Sequence, residues 1–230
     1  GGEVNITGLR IEFYKDGKTA MTVASPYCFY NQKTREARSD APVSADMEKV
    51  RVRGKGFLLK PGDSTVRVLD SSQVTIEGLS PKTGGGAFPA AGGLKTTDMT
   101  VITSKELFLN YKQKNVRFEQ DVHVQDPRMT LDCRTLEVRF SEKNEINWIE
   151  ALTGVRILSE GREATAGKAV YDVKTDEFVL EGNPRLRDGR NILSGDRVRF
   201  WRTSGRMVCE PQARLVIYPD KNIKTDFFGK

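Results

Sequence analysis

The 230-residue sequence predicts an all-β protein, with antiparallel strand pairs arranged as a barrel, sandwich or jelly roll. Three observations carry that expectation. Apolar and polar residues alternate, as in Val116, Phe118, Val122 and Val124 against Arg117, Glu119, Asp121, His123 and Gln125. No segment shows the 3.6-residue apolar stripe of an amphipathic helix. A unit of strand, polar turn and strand also returns along the chain, so that each pair buries its apolar side only by stacking on the next.

In chain order, "ITGLRIEFYKDGKTAMTVASPYCFY" predicts a strand, a turn at Asp16-Gly17 and a second strand. "VRGKGFLLK" at Val52 continues the series. "SPKTGGGAFPAAGGLKT", residues 80–96, has the Gly, Pro and Ala content of a flexible loop or linker. Then "TSKELFLNY", "DCRTLEVRF", "TAGKAVYDV" and "LSGDRVRFW" begin four repeats. Their second strands are "VRFEQDVHVQD", "INWIEALTGVRILSE", "EFVLEGNPRLRD" and "RMVCEPQARLVIY". Gly182-Asn183-Pro184 is expected to bend a strand, since proline has no N–H for the ladder. Asp188-Gly189 is expected to form a turn, and Gly195 to allow close backbone approach. The predicted organisation is strand pairs over 1–79, a loop over 80–97, strand pairs over 98–218 in one continuous roll, and a frayed tail over 219–230. The start at Gly1-Gly2-Glu3 suggests a chain cut after a removed segment.

Composition narrows the function. The chain has 37% hydrophobic and 30% charged residues, and no apolar run approaches the roughly 20 residues of a membrane helix. The net charge of +6 favours an acidic partner. Basic residues are nevertheless interspersed with acidic ones, without a compact basic stripe or zinc spacing, so nucleic acid is not an expected partner. An anionic lipid or glycan fits better.

Catalytic and metal chemistry are not expected, and no cofactor is implied. Cys28, Cys133 and Cys209 lack metal-ligand spacing and lie in strand-like runs, as small buried hydrophobes would. His123, the sole histidine, falls on the wet face of its strand with Arg117 and Gln125, with no nucleophile motif in the sequence. Glu119 and Asp121 share that face but sit among Arg117 and His123, as an ordinary charged surface does. Calcium loops are missing, and "GGGAFPAAGG" lacks the lysine and helix of a phosphate loop.

From Ala166 to Trp201 the chain reads "AxxAxYDxxxxxFxLxGNPxLxxGxNxLxGDxVxFW". This pattern resembles the OstA-like domain of the periplasmic lipopolysaccharide-transport proteins, the LptA/LptC type. The residues that carry it include Ala166, Ala169, Tyr171, Asp172, Leu180, Gly182, Asn183, Gly189, Asn191, Gly195 and Asp196. The likeness extends over about Thr97 to Tyr218, and residues 4–78 are more loosely similar to the start of an LptC-type domain.

The resemblance implies a twisted antiparallel β-jelly roll, half-open, whose apolar interior groove holds acyl chains. It implies periplasmic localisation, with room for an inner-membrane tether ahead of this chain. Implied partners are lipopolysaccharide or a similar anionic glycolipid, other lipopolysaccharide-transport proteins joined by edge-strand pairing, and further copies of itself. The expected role is non-catalytic lipopolysaccharide binding and bridging in export to the outer membrane. The alternative is a structural or adhesive β-repeat protein with a filled core that binds glycan or protein on its outer face.

The residues expected to line the groove are Leu107, Leu109, Val116, Phe118 and Val122 in one stretch. Leu136, Val138, Phe140, Tyr171, Phe178 and Leu180 follow, then Leu186, Val198 and Phe200. Each of these would equally serve a filled core. Arg185, Arg187, Arg190, Arg197 and Arg199 are candidates for meeting an anionic headgroup, and would equally serve as solvated charges.

Overall fold

The computed structural model describes residues 2–15, 17–77, 99–127, 129–142, 145–201 and 204–218. The expected loop over 80–97 and tail over 219–230 lie outside the described residues. Among those described, regular structure is β-strand apart from one 3₁₀ turn, Pro61–Asp63, and the pairs in register are antiparallel. The all-β jelly-roll class is what the alternation and the family pattern predict.

Two compact units are present, residues 2–77 with 99–124 and residues 125–218. In the first, β1 (Glu3–Lys15), β2 (Lys18–Asn31), β3 (Glu36–Met47), β4 (Val50–Lys60) and β5 (Thr65–Glu77) pair successively. β5 then takes two partners. Its end, Ser72–Glu77, pairs with β6 (Met99–Ser104), and its start, Thr65–Val68, pairs with β7 (Glu106–Asn110). β7 pairs with β8 (Asn115–Asp126). The residues on both sides of the Gly/Pro-rich segment therefore pair within one unit, and the division falls at Val124/Gln125.

In the second unit β9 (Met129–Phe140), β10 (Ile146–Ser159) and β11 (Arg162–Asp172) are long, and the ladder forks after them. Lys168–Asp172 of β11 pair with β12 (Glu177–Glu181), while Arg162–Thr165 pair with β13 (Arg185–Asp188). The first branch continues through β15 (Arg197–Trp201) to β16 (Met207–Glu210). The second continues through β14 (Asn191–Ser194) to β17 (Arg214–Val216).

The forks arise because every long run turns a corner. Register shifts occur at Ala24/Phe29, Ser39/Pro42 and Arg53/Lys55 in the first unit and at Leu152/Val155 in the second. Left-handed backbone marks the same level at Gly8, Ser71, Gln120, Asp121, Thr153 and Gly154. An extra residue on one strand bends it and raises its twist, so that it leaves one sheet and enters the facing one. β12 and β13 are one such run, broken at Gly182-Asn183-Pro184. Gly182 and Asn183 are left-handed, Pro184 is buried, and the Gly167 N–H donates to the Gly182 carbonyl at 2.9 Å.

Backbones approach closely at these corners. A Cβ on Gly182 would lie 3.0 Å from Gly167 Cα, and one on Gly195 would lie 2.6 Å from Cys209 Sγ. Outward positions carry exposed cross-strand ion pairs such as Arg51–Glu77 and Arg53–Asp46, each worth about 0–1 kcal/mol. Stability rests instead on inward apolar rows, at about 1.5–3 kcal/mol per fully buried large side chain.

Gly182 (φ +76°) faces backbone, whereas a Cβ on Gly62 meets nothing within 4 Å. Gly182→Ala is expected to cost about 1–3 kcal/mol and Gly62→Ala under about 0.5 kcal/mol, read from urea unfolding midpoints. Equal midpoints for the two variants would contradict the corner packing.

Candidate functional site

Inward side chains form rows that cross each unit from strand to strand, and their burial depends on distance from the corner. In the second unit the row beside the corner is Leu136, Ala151, Ala169, Leu180, Val198 and Cys209, consecutive register partners across five ladders. All are buried except the half-buried Cys209. One step farther out come Val138, Ile149, Tyr171, Phe178, Phe200 and Met207. Val138 is buried but the other five remain half-exposed, with the Tyr171 and Phe178 rings stacked at 4.2 Å. Phe140, opposite Ile146, is one step farther again and also half-buried.

Beyond the corner the opposite half carries Leu131, Ile157, Ala164, Leu186 and Leu193, all buried, ending in the exposed Leu215. The next row out there is polar: Ser159, Arg162, Asp188 and Asn191.

The first unit repeats the gradient. Phe57, Val68, Leu107 and Phe118 form a buried row, and Cys28, with Ile6 beside it, shares that core with Phe57. The adjoining row runs Val4, Tyr30, Ala37, Leu59, Val66, Leu109 and Val116, of which only Ala37 is buried. At the corner itself Gly8 and Ser25 leave room, and Gly54 packs against Val68. A cleft of about 480 Å³ opens there, lined also by Leu9, Pro26, Pro42 and Val43. That volume is within the roughly 300–1,000 Å³ of small-molecule sites.

The expected groove residues thus fall into two groups. Leu107, Phe118, Val122, Leu136, Val138, Leu180, Leu186 and Val198 are buried, whereas Leu109, Val116, Phe140, Tyr171, Phe178 and Phe200 are half-exposed on inward rows. Ile149 and Met207 complete the half-exposed row and were not foreseen, although Ile149 shares the parity of Ala151 in "INWIEALTG".

The arginine candidates are placed differently. Arg185 and Arg187 flank the inward Leu186, and Arg197 and Arg199 flank the inward Val198, so all four point to the outer face. Arg197 and Arg199 are each ion-paired at 2.7 Å, to Glu181 and Glu177 respectively. Arg190 lies over the Tyr218 ring, 5.0 Å from its centroid.

Residues 101–206 match the family described as LptA/(LptD N-terminal domain) LPS transport protein. The LptA/LptD segment runs from β6 past β15 and includes the half-exposed residues Tyr171, Phe178 and Phe200. Among solved structures, LptH, the LptA homologous periplasmic component of the conserved lipopolysaccharide transport device from Pseudomonas aeruginosa, is similar at 14% identity. The likeness covers 52% of this chain and 95% of that one, with a TM-score of 0.47. No curated protein matches the chain significantly.

Among the described residues no group of three His, Cys, Asp or Glu is placed to hold a metal ion. The three cysteines are free thiols. Burial pushes Cys133 up to about 12 and raises Cys28 and Cys209 as well, so all three stay neutral at physiological pH and pack as apolar groups.

A thiol raised in the folded state stabilises fully below its unfolded value near 9 and loses that contribution as pH rises toward 12. Native Cys133 is therefore expected to resist a disulfide reagent at pH 8 and to react on unfolding. Replacing it with Ala is expected to flatten the decline of stability between pH 9 and 11. Rapid native labelling at pH 8, located by peptide mapping, would contradict its burial.

Proposed function

We propose that this protein is a non-catalytic, periplasmic carrier that binds lipopolysaccharide or a similar anionic glycolipid by its acyl chains and bridges other lipopolysaccharide-transport proteins. The observation that carries this is the row Ile149, Tyr171, Phe178, Phe200 and Met207: large apolar side chains on inward positions that the protein itself does not bury. A filled core would cover them. An acyl chain of about a dozen carbons gains on the order of 10 kcal/mol from leaving water, at roughly 0.8 kcal/mol per methylene. An inward apolar surface of this kind supplies the dry contact, while the buried row behind it holds the scaffold without the ligand.

The buried candidates, Leu107, Phe118, Val122, Leu136, Val138, Leu180, Leu186 and Val198, form the floor on which the lipid-facing rows stand. The cleft at the corner of the first unit is a second apolar surface for a chain. Outward Arg185 and Arg187, and Arg190 in the turn after β13, which have no carboxylate partner among the described residues, are available to anionic sugars outside the groove. Arg197 and Arg199 are already neutralised by glutamates.

Bridging uses strand edges. β16 and β17 end the two branches, with registered partners on one side, β15 and β14 respectively. Addition of a neighbour's strand to either satisfies its open N–H and C=O groups. A second copy of this chain is one such neighbour. No helix among the described residues is long and apolar enough to cross a membrane.

A photo-crosslinking amino acid at Phe178 or Phe200 is expected to form an adduct with purified lipopolysaccharide, whereas one at the outward Arg197 is not. Phe178→Glu is expected to lower affinity at least tenfold. Adducts at Arg197 without any at Phe178 or Phe200 would instead favour an adhesive outer surface.

A further inference from the structure

The inner face of the second unit has unlike margins. On one half the rows remain apolar and aromatic out to Tyr171, Phe178 and Phe200, with Asp176 at the edge accepting from the Tyr171 hydroxyl at 2.9 Å. On the other, one step beyond the buried Leu131, Ile157, Ala164, Leu186 and Leu193, the row changes to Ser159, Arg162, Asp188 and Asn191. These four are consecutive register partners: Ser159 faces Arg162, Arg162 faces Asp188, and Asp188 faces Asn191. Arg162 has the parity of Ala164, and Asp188 that of Leu186, so both belong to the inward series.

Strand chemistry does not demand such a margin. In the first unit the comparable half carries Ile11, Val23, Ala45, Val52, Val74 and Ile102, then Met21 with Met47 and Val50 with Ile76. That series is apolar throughout, apart from Thr100 beside Ile76. Among the described residues in register, the Arg162–Asp188 margin of the second unit has no charged counterpart in the inward series on that half of the first.

An inward guanidinium beside apolar rows is costly unless paired. Here Arg162 Nε donates to Asp188 Oδ2 at 3.1 Å, with the two side chains 26% and 41% exposed. The pair is thus oriented from within and reachable from outside. Arg185, Arg187, Arg197 and Arg199 differ in that they lie across the sheet from the apolar rows.

We infer that Arg162 contacts a phosphate on the head group of an amphiphile whose acyl chains lie on the inner face of the second unit. Asp188 is its positioning residue, and Asn191, whose Oδ1 accepts from the Tyr218 N–H at 2.9 Å, is the neighbouring polar side chain. This rests on the lipid-binding role proposed above and adds an orientation: chains toward Phe178 and Phe200, phosphate toward Arg162. The planar fork of arginine suits bidentate contact with phosphate oxygens.

The test measures binding of the full chain to three probes: bisphosphorylated lipid A, the same acylated disaccharide without phosphates, and inorganic phosphate. Arg162→Gln is expected to weaken the phosphorylated lipid at least tenfold and to change the dephosphorylated lipid by less than twofold. Inorganic phosphate is expected not to compete at millimolar concentration. Competition by it would mean a free-anion site and overturn the assignment. Equal loss for both lipids, or loss for neither, overturns the role of Arg162 while leaving lipid binding intact. Failure of the unsubstituted protein to bind either lipid removes the lipid reading itself. Should Arg162→Gln not fold, Arg162→Lys keeps the charge without the fork. A loss confined to the phosphorylated lipid then supports the role, and an unselective loss or none opposes it.

Discussion

The corner that each long strand makes is the constraint on which the rest depends. A chain that alternates faithfully builds a sheet with one wet and one dry face, and the dry face needs a cover. Bending every run at one level lets the sheet provide its own cover, because each strand contributes to both facing halves. The turn is made by different means in different strands: left-handed Gly8, Thr153-Gly154 and Gly182-Asn183, prolines 26, 42 and 184, and the close approach of Gly167 to Gly182. Shared position, not shared sequence, makes them equivalent.

A gradient of burial follows from that geometry. Rows beside the corner are closed by the facing half, so Leu136, Ala151, Ala169, Leu180 and Val198 are buried. Rows farther out are covered less, so Tyr171, Phe178 and Phe200 keep part of their surface in water. The same inward series is therefore both core and candidate binding surface, according to distance from the bend. Neutral thiols fit the inner zone, and Cys133, held near 12, acts there as a small apolar side chain. Residues 101–206, which match the family described as LptA/(LptD N-terminal domain) LPS transport protein, include Tyr171, Phe178 and Phe200 of this exposed zone.

Alternation made the strands legible, and the pattern from Ala166 to Trp201 made the roll legible. Inward positions such as Phe118, Leu136, Phe178 and Val198 follow directly from it. The corners were harder to read, yet they leave a trace: inward parity switches within a run, from Leu131 and Cys133 to Leu136 and Val138, and from Leu193 to Val198 across Gly195. A bulge inserts the residue that shifts the count. The Gly/Pro-rich segment reads by composition as a loop or linker, but composition says nothing about pairing, and β5 pairs with the strands that follow that segment. Arg162 is hidden in the sequence for a related reason. Its charge suggests an outward residue, while its register with Ser159 and Asp188 places it on the inward row.

The central claim is that acyl chains occupy the inner, half-exposed rows. It is tested most directly by solution NMR of the protein with a glycolipid carrying ¹³C-labelled acyl chains. Intermolecular NOEs from chain methylenes to the ring protons of Phe178 and Phe200 are predicted, with none to the indole of Trp201, which follows Phe200 on β15 and lies against the outward Arg199. Contacts confined to that indole, with the phenylalanine rings unaffected, would contradict the account.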